Sequence, residues 1–391
     1  TRVVREDTKR KDLLYAGTEL GMYISWNGVK QWQPFQLNLP MTAITDLKVS
    51  HDDLSVATMG RSFWILDDLG LLRQFDGTVT SFALIQPEDA VIGNWWSQLN
   101  SNSDSFVGRD DSQGVNPANG VVFYYYLPTA TEDTTLTLVI KDKDGNLVRT
   151  ISSKADSNYL KYPGGPSPEP LLSNNAGLNR FVWDMTYTSL PGVPTAYIEG
   201  SFKGHKAMPN AYTAAIKQGD QLSEVAFNIL PNPLYDVTSE DYQETHDFKT
   251  KSEAKLTDMH LRVTKLKEVQ SQIELILKNL PKEETYSNVK SEGDAIIQKL
   301  KSWDEDMVQR KSKAYDDVEN FPNKFTAEYI FLMNENDGSL PKVNQGSKDR
   351  LAELDKQWEV LKGISEDLIN TIIPAYNKLL WDNGIGALNV K

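Results

Sequence analysis

Four histidines are the side chains of this chain best suited to acid–base or metal chemistry: His51, His205, His246 and His260. No two of them stand at the i, i+4 spacing that presents two imidazoles to one metal ion on a helix. His246 and His260 lie on one predicted helix and share nearly the same face, but about four helical turns separate them. They cannot share a metal ion, and no histidine stands in a recognisable triad motif. The sequence therefore predicts no metal site and no cofactor.

Carboxylates offer the second route to catalysis. A glycoside hydrolase needs two of them across a cleft, and Asp46, Asp67 and Asp68 are the ones that lie near predicted strands. Asp67 and Asp68 follow a strand at its exit, where aspartate commonly serves as a turn or capping residue. A sialidase also needs a cluster of arginines to bind the substrate carboxylate, and Arg61 alone cannot supply it. We therefore assign no catalytic residue to this chain.

Composition excludes further classes of chemistry and partner. The chain has no cysteine, which excludes disulfides, thiolate catalysis and cysteine-based zinc sites. Its formal net charge of -13 argues against binding to nucleic acid or to an anionic membrane surface. No apolar run has the length of a transmembrane helix. A chain that starts on Thr1 and continues with charged residues predicts a processed or partial product.

The elements that must position these side chains begin with short strands. Residues 54–69 read LSVATMGRSFWILDDL, in which two β-branched and aromatic runs flank Gly60 and Arg61, as in a tight hairpin. Residues 13–25 and 44–50 have the same character. Because a propeller blade takes four strands in roughly 40 to 45 residues, this block holds fewer than two blades. Unpaired strand edges are avoided in soluble proteins, so we expect the remaining blades to come from the same polypeptide or from a second chain.

A polar region follows the strand block. Residues 97–120 read SQLNSNSDSFVGRDDSQGVNPANG, which has no periodicity and predicts a long loop. Trp95 and Trp96 stand directly before it. They are either a packed plug beneath a propeller or an exposed stacking platform for a sugar, and burial is the more common state of tryptophan.

The next region alternates apolar and polar residues. It predicts an antiparallel sandwich with strands at residues 121–127, 135–142, 146–151, 178–184, 211–217 and 224–229. Asp144-Gly145 is a hairpin turn signal between two of these strands. A calcium site on Asp142 and Asp144 lacks the other oxygen ligands that the cation needs, so the turn is the better interpretation. Long insertions at 162–166 and 190–209 are where a binding function of this region would lie.

The apolar period changes to that of helices after residue 233. Thr238 and Asp241 have capping-box spacing, and an apolar stripe then continues to Pro281. Further stripes predict a second helix, a short third helix with an exit turn at Asp337-Gly338, and a fourth helix that Ser347 opens. Together they predict an antiparallel bundle. Its charged faces are solvated surfaces or, in a sharper interpretation, a partner-binding surface.

Several motifs resemble one protein family. LLYAGTELGMYISW, LNLPMTAITDL and ATMGRSFWILDDL resemble the final blades of bacterial sortilin-type BNR-repeat β-propeller proteins, which are often labelled glycosyl hydrolase-like. Their Asp-box, S-x-D-x-G-x-x-W, is matched here by Ser25 and Trp32, whereas Asn27 replaces the aspartate and Val29 the glycine. NPANGVVFYYYL, DGNLVRT and GLNRFVWDM are similar to the immunoglobulin-like or fibronectin type III-like module that follows the propeller in this family. The NFPNK break and the helices after it extend the similarity to the end of the chain.

Sequence and resemblance together predict a multidomain protein in which β structure precedes α structure. We expect the terminal blades of an incomplete β-propeller at 1–76, a connecting loop region at 77–120, an immunoglobulin/fibronectin type III-like β-sandwich at 121–235 and a helix bundle at 236–391. The resemblance implies export to the bacterial cell envelope, as a periplasmic, cell-surface or secreted protein.

Two functions follow from this reading. The first is a non-catalytic scaffold or binding module in a cell-envelope or surface assembly, whose partners are the other blades, an envelope protein complex or a glycan. The second is a sialidase-like, glycan-active hydrolase whose active site lies in blades absent from this chain. The candidate binding residues are Trp95, Trp96, Arg61 and Trp64.

Overall fold

The computed structural model has strands in the first part of the chain and helices in the second. It describes residues 1–74, 76, 79–100, 114–130, 134–281, 283–335 and 340–389. The chain divides into two compact units. The first unit comprises residues 1–154, 170–185 and 209–232, and the second comprises residues 155–169, 186–208 and 233–391.

Two small antiparallel sheets open the first unit. The first sheet has the order β1-β2-β3-β4 and the second the order β5-β6-β7. Their strands are β1 (Val3–Glu6), β2 (Leu14–Thr18), β3 (Gly21–Ser25), β4 (Gln33–Pro34), β5 (Ile44–Ser50), β6 (Asp53–Thr58) and β7 (Phe63–Leu66). The two sheets share one apolar core. Gly17 lies where they meet, because a Cβ there would stand 2.6 Å from Ile44 Cγ2.

The rest of the first unit is built from two further sheets and a short helix, α1 (Gly70–Gln74). Their strands are β8 (Ala83–Leu84), β9 (Ala90–Val91), β10 (Val121–Leu127), β11 (Leu136–Asp142), β12 (Leu147–Ser152), β13 (Gly177–Trp183), β14 (Asn210–Gln218) and β15 (Gln221–Leu230). One sheet has the order β13-β10-β8 and the other the order β12-β11-β14-β15-β9. The two sheets pack face to face through aromatic rings. The ring centroids of Phe123 in the first sheet and Phe227 in the second are 5.5 Å apart, and those of Trp183 in the first and Tyr212 in the second are 6.2 Å apart.

The loop between β11 and β12 is a turn, as the sequence predicted. Asp142 Oδ1 accepts hydrogen bonds from the backbone N–H of Asp144 at 2.9 Å and of Asn146 at 2.8 Å. Asn146 Nδ2 donates to the other oxygen at 3.0 Å. The Asp142 carboxylate is thus engaged in the turn that it stabilises.

The second unit is largely helical. Its helices are α2 (Ser239–Asn279), α3 (Ser287–Met307), α4 (Phe325–Glu335), α5 (Gln345–Asp367) and α6 (Ile373–Asp382). The predicted capping box opens α2, because Thr238 Oγ1 accepts from Asp241 N at 3.2 Å and Thr238 N donates to Asp241 Oδ2 at 2.9 Å. The predicted exit turn at Asp337-Gly338 lies outside the described residues. None of the helices in the described ranges is long and apolar enough to cross a membrane.

The fourth predicted helix differs from the structure at two places. Its N-cap is Asn344 and not Ser347, since Asn344 Oδ1 accepts from Ser347 N at 2.9 Å. A π-helical turn at Leu368–Ile372 then separates α5 from α6. Pro374, at the start of α6, explains the second difference, because proline has no N–H to donate and its ring crowds the carbonyl one turn earlier.

A segment without regular secondary structure also belongs to the second unit. Residues 186–208, here called the arm, place five apolar side chains in the same core as the helices. These are Leu190, Val193, Ala196, Ile198 and Phe202. The arm folds back on itself, because Leu190 N donates to Phe202 O at 2.7 Å and Thr186 forms an antiparallel bridge with Lys206. It includes most of the second insertion that the sequence marked for a binding role.

Candidate functional site

Two carboxylates approach each other beside α1 in the first unit. A Cβ at Gly70 would lie 2.9 Å from Glu88 Oε1 and 3.0 Å from Asp68 Oδ1. The two oxygens are therefore at most about 6 Å apart, a range that includes the ~5–5.5 Å separation of the carboxyl groups in retaining glycosidases. A larger residue at this position would require the Glu88 or Asp68 side chain to shift.

Asp68 is positioned by an unusual backbone conformation. Its φ is 57°, in the left-handed region that aspartate visits more readily than most residues. Asp68 N donates to Asp53 Oδ1 at 3.2 Å, and Asp68 Oδ1 accepts from Gly70 N at 3.2 Å. Burial raises the pKa of Asp68, while the backbone hydrogen bonds at the start of α1 oppose that rise.

Among the carboxyl groups of the described residues, Glu88 has the most strongly perturbed pKa. Burial raises the pKa of Glu88 to about 7, and the negative charges of Asp68 and Asp52 add to this effect. Arg73 opposes it from 3.7 Å. A carboxyl group that titrates near neutral pH can both donate and accept a proton. Together with a second carboxylate beside it, such a group can act as a general acid–base pair.

An ion-pair network centred on Arg73 lies beside Glu88. Arg73 Nε and Nη2 bind the two oxygens of Asp7 at 2.9 and 3.1 Å, and Arg73 Nη1 binds Asp52 Oδ1 at 2.5 Å. Lys9 Nζ binds the other oxygen of Asp52 at 2.6 Å. The Asp7 side chain has no exposed surface. Burial acts to raise the pKa of Asp7, but the bonds from Arg73 and from the backbone N–H groups of the following loop lower it overall.

The hairpin between β5 and β6 places Asp52 in this network. His51 and Asp52 have φ values of 53° and 68°, which is the conformation of a type I′ turn. Histidine and aspartate adopt this conformation more readily than most residues do, and Lys9 and Arg73 bind the Asp52 carboxylate.

The network does not form a metal centre. Within the described ranges, no group of three or more histidine and carboxylate side chains could hold a metal ion.

The structure separates the carboxylates that the sequence singled out. Asp68 belongs to the pair and Asp67 is its neighbour, with a pKa raised by desolvation and by the charges of Asp53 and Asp68. Asp46 lies elsewhere, in an exposed pair with Arg5 at 2.7 Å.

The candidate binding residues of the β5–β7 sheet do not join that pair. Trp64 packs against the core of the two small sheets, and its Nε1 donates to Arg61 O at 2.8 Å. The Arg61 side chain is exposed. Trp64 therefore has a packing role, while Arg61 remains available to a partner.

The two adjacent tryptophans have different surroundings. Trp95 Nε1 donates to Pro117 O at 2.9 Å, and its ring packs over Gly93, where a Cβ would stand 2.2 Å from the ring. Trp96 is exposed. The predicted loop between them and β10 lies partly outside the described residues, at 101–113.

The residues that resemble an Asp-box form a turn after β3. Asn27 Oδ1 accepts from Gln31 N at 3.0 Å, and Ser25 Oγ lies 3.3 Å from the same oxygen. Ser25 also donates to Gly28 O. Asparagine thus supplies the turn-closing oxygen in place of aspartate. Trp32, which directly follows Gln31 in the sequence, is half-buried.

Glu88 and Arg73 were not singled out by the sequence. Arg73 meets Asp7 across 66 residues of chain, and nothing local indicates that contact. The available signal was Gly70, because a glycine that opens a helix two residues after Asp67-Asp68 suggests a close approach. No protein-family model, curated protein or solved structure matches this chain.

Replacing Glu88 by glutamine is expected to stabilise the first unit at pH 8 and to leave it unchanged at pH 4. The folded pKa of about 7 lies above the ordinary value of 4.5, so the carboxyl group favours folding at low pH and loses that contribution as pH rises from 4.5 through 7. Because the side chain is 34% exposed, the gain at pH 8 should be only about 1 to 2 kcal/mol. Urea denaturation at both pH values measures it.

Glu224→Gln is the matched control for this measurement. Glu224 lies on β15 in the same unit and its side chain is exposed. A gain of equal size in Glu224→Gln, or a gain in Glu88→Gln that does not depend on pH, would show that Glu88 carries no special penalty.

Proposed function

We propose that this chain is a non-catalytic scaffold or binding module of a β-propeller protein, and that its β5–β7 sheet docks against further blades. In this proposal the first sheet is a complete four-stranded blade and the second a blade that lacks its fourth strand. The two packed sheets that follow are an immunoglobulin-like module, and the helices form a bundle. The motif resemblance supports a bacterial cell-envelope location.

In the described part of the chain, β7 pairs with β6 and with no other strand, and its second edge carries the proposal. Thr58 N donates to Ser62 O at 3.3 Å, which fixes the hydrogen-bonding phase of the β6–β7 pair. In the register that pairs Val56 with Trp64, the backbone groups of Trp64 and Leu66 then face β6. Those of Phe63 and Ile65 face the open edge, where they offer a template for another strand.

The side chains of the same two residues favour an apolar partner. Phe63 is 85% exposed and Ile65 is 64% exposed, while Trp64 and Leu66 between them pack on the core. An edge strand with neighbouring apolar side chains is a surface that soluble proteins normally cover. A further antiparallel strand or blade would cover both the backbone groups and the side chains.

We expect the isolated chain to self-associate through this edge, because two free copies present the same template to each other. Ile65→Lys should abolish the association, since a lysine on an edge strand opposes pairing. Sedimentation velocity over a wide range of protein concentration measures it.

Leu222→Lys is the control. Leu222 is 63% exposed, like Ile65, but it lies on β15, in a different sheet from β7. It should associate like the wild type. A wild-type chain that stays monomeric throughout, or an Ile65→Lys chain that associates as strongly, would contradict docking through β7.

A carboxylate-dependent glycan hydrolase is the second candidate, and the Asp68–Glu88 pair is the observation that favours it. Incubation of the purified chain with a panel of sialosides and other glycans distinguishes the two. Release of sugar that Glu88→Gln abolishes would favour the hydrolase, whereas binding without release would favour the scaffold.

A further inference from the structure

Two histidines and a glutamate form a hydrogen-bonded chain between the arm and α2. His205 belongs to the arm, and its Nδ1 lies 2.9 Å from Glu253 Oε2. The other oxygen of Glu253 accepts from His205 N at 2.7 Å. His205 Nε2 then lies 2.9 Å from His246 Nδ1. His246 and Glu253 are seven residues apart on α2 and therefore share one face of the helix.

The contact between the two imidazoles limits how many protons they can hold. Because His205 Nδ1–H donates to Glu253, His205 Nε2 accepts and His246 Nδ1–H must donate to it. A first added proton on His246 Nε2 leaves this bond intact. A second one would fall on His205 Nε2 and set one N–H against another at 2.9 Å. The doubly cationic pair must therefore separate.

A third histidine joins the arm to the same helix farther along. His260 Nδ1 donates to Pro191 O at 2.7 Å, and the ring packs against Phe202 at 5.9 Å. The residue is fully buried, and in the described part of the chain its Nε2 has no hydrogen-bond partner. Burial lowers the pKa of His260 to about 4, and the Pro191 carbonyl only partly opposes this. A proton on Nε2 would thus lie in an apolar site.

The neighbouring groups do not remove this sensitivity to protons. Glu253 on α2 contacts Nδ1 of His205, on the far side of the ring from His246, and cannot relieve the contact between two N–H groups. Tyr187 of the arm stacks on His205 at a centroid distance of 4.3 Å. On α2, Lys249 follows His246 by one turn and its ammonium donates to Met333 O. Lys206 follows His205 in the arm and is half-buried.

We propose that His205, His246 and His260 form an acid-sensitive latch that holds the arm against α2 and opens the arm when the histidines become protonated. Three of the four histidines of the chain lie at this one seam. The arm is closed by the hydrogen bond from Leu190 N to Phe202 O, and its apolar side chains pack in the helical core. Release of the arm would therefore expose a binding surface in response to pH. The fourth histidine, His51, lies in the other unit.

Hydrogen–deuterium exchange at pH 7 and pH 5, corrected for the intrinsic rate, tests the latch. In the wild type, the protection of arm amides such as Leu190 should fall relative to those of α3. With pKa values of 6.5 unfolded and about 4 folded, His260 alone predicts a fall of about 20-fold. In His246→Gln/His260→Gln the protection should persist at pH 5, because glutamine can accept from or donate to His205 and can still donate to Pro191 O.

His51→Gln is the control and should open like the wild type, since His51 is exposed in the β5–β6 turn. An arm that stays protected at pH 5 in the wild type overturns the latch, as does a double variant that opens to the same extent. If the double variant loses its helical circular dichroism at pH 7, it cannot test the latch, and imidazole ¹⁵N spectra of the wild type replace it as the test. The pair should gain its second proton over the pH range in which the arm opens, and a doubly cationic pair beneath a protected arm refutes the proposal.

Discussion

Arg73→Met is expected to destabilise the first unit by about 3 to 5 kcal/mol, because it leaves the buried carboxylate of Asp7 without its bidentate cation. Asp7 has no exposed side-chain surface and would retain only the N–H groups of Lys9 and Arg10 and, at 3.5 Å, the Tyr15 hydroxyl. Asp52 would keep Lys9 but lose the shorter of its two contacts. Thermal denaturation should show a loss of roughly 2 to 4 °C for each kcal/mol in a unit of this size.

Arg5→Met is the matched control. Arg5 pairs with Asp46 at 2.7 Å, the same distance range as the Arg73 contacts, but the two side chains are 47% and 62% exposed. An exposed pair contributes less than about 1 kcal/mol, so the control should be nearly neutral. The double variant Asp7→Asn/Arg73→Met should recover part of the loss, because it removes the buried charge together with its partner. If the loss of stability in Arg73→Met is as small as that in Arg5→Met, Asp7 must find other partners.

The local part of this fold was predictable from the sequence. Alternating apolar residues indicated strands such as β10 and β14, and the structure has them within one residue of the predicted bounds. The Thr238–Asp241 box marked the start of α2 because both of its hydrogen bonds lie within one helical turn. β1 was missed, since its sequence VVRE contains two charged residues and only Val3 is buried.

The contacts that make the sites were not predictable in the same way. Periodicity reports which face of an element is buried, but it does not say which element lies opposite. Arg73 and Asp7, and likewise His205 and Glu253, are brought together only by the tertiary fold. A partial signal existed in α2, where His246 and Glu253 stand seven residues apart on one face and could act on a common partner.

The helical core allows an equally large test in the second unit. Trp358→Ala is expected to cost about 3 to 5 kcal/mol, because the removal of a buried tryptophan loses its transfer free energy and leaves a cavity. Trp358 on α5 is 2% exposed and its ring stacks on Phe325 of α4 at 6.3 Å. Urea denaturation followed by circular dichroism at 222 nm reports the helices.

Trp381→Ala separates burial from the mere loss of a large aromatic side chain. Trp381 lies on α6 in the same unit but is 75% exposed, so its removal should change the free energy of unfolding by no more than about 0.5 kcal/mol. A large difference between the two variants is expected only if α5 is held against α4 through the buried ring. Similar small losses in both would mean that α5 contributes little to the core, and the expectation of a helix bundle built on its apolar stripe would then be wrong.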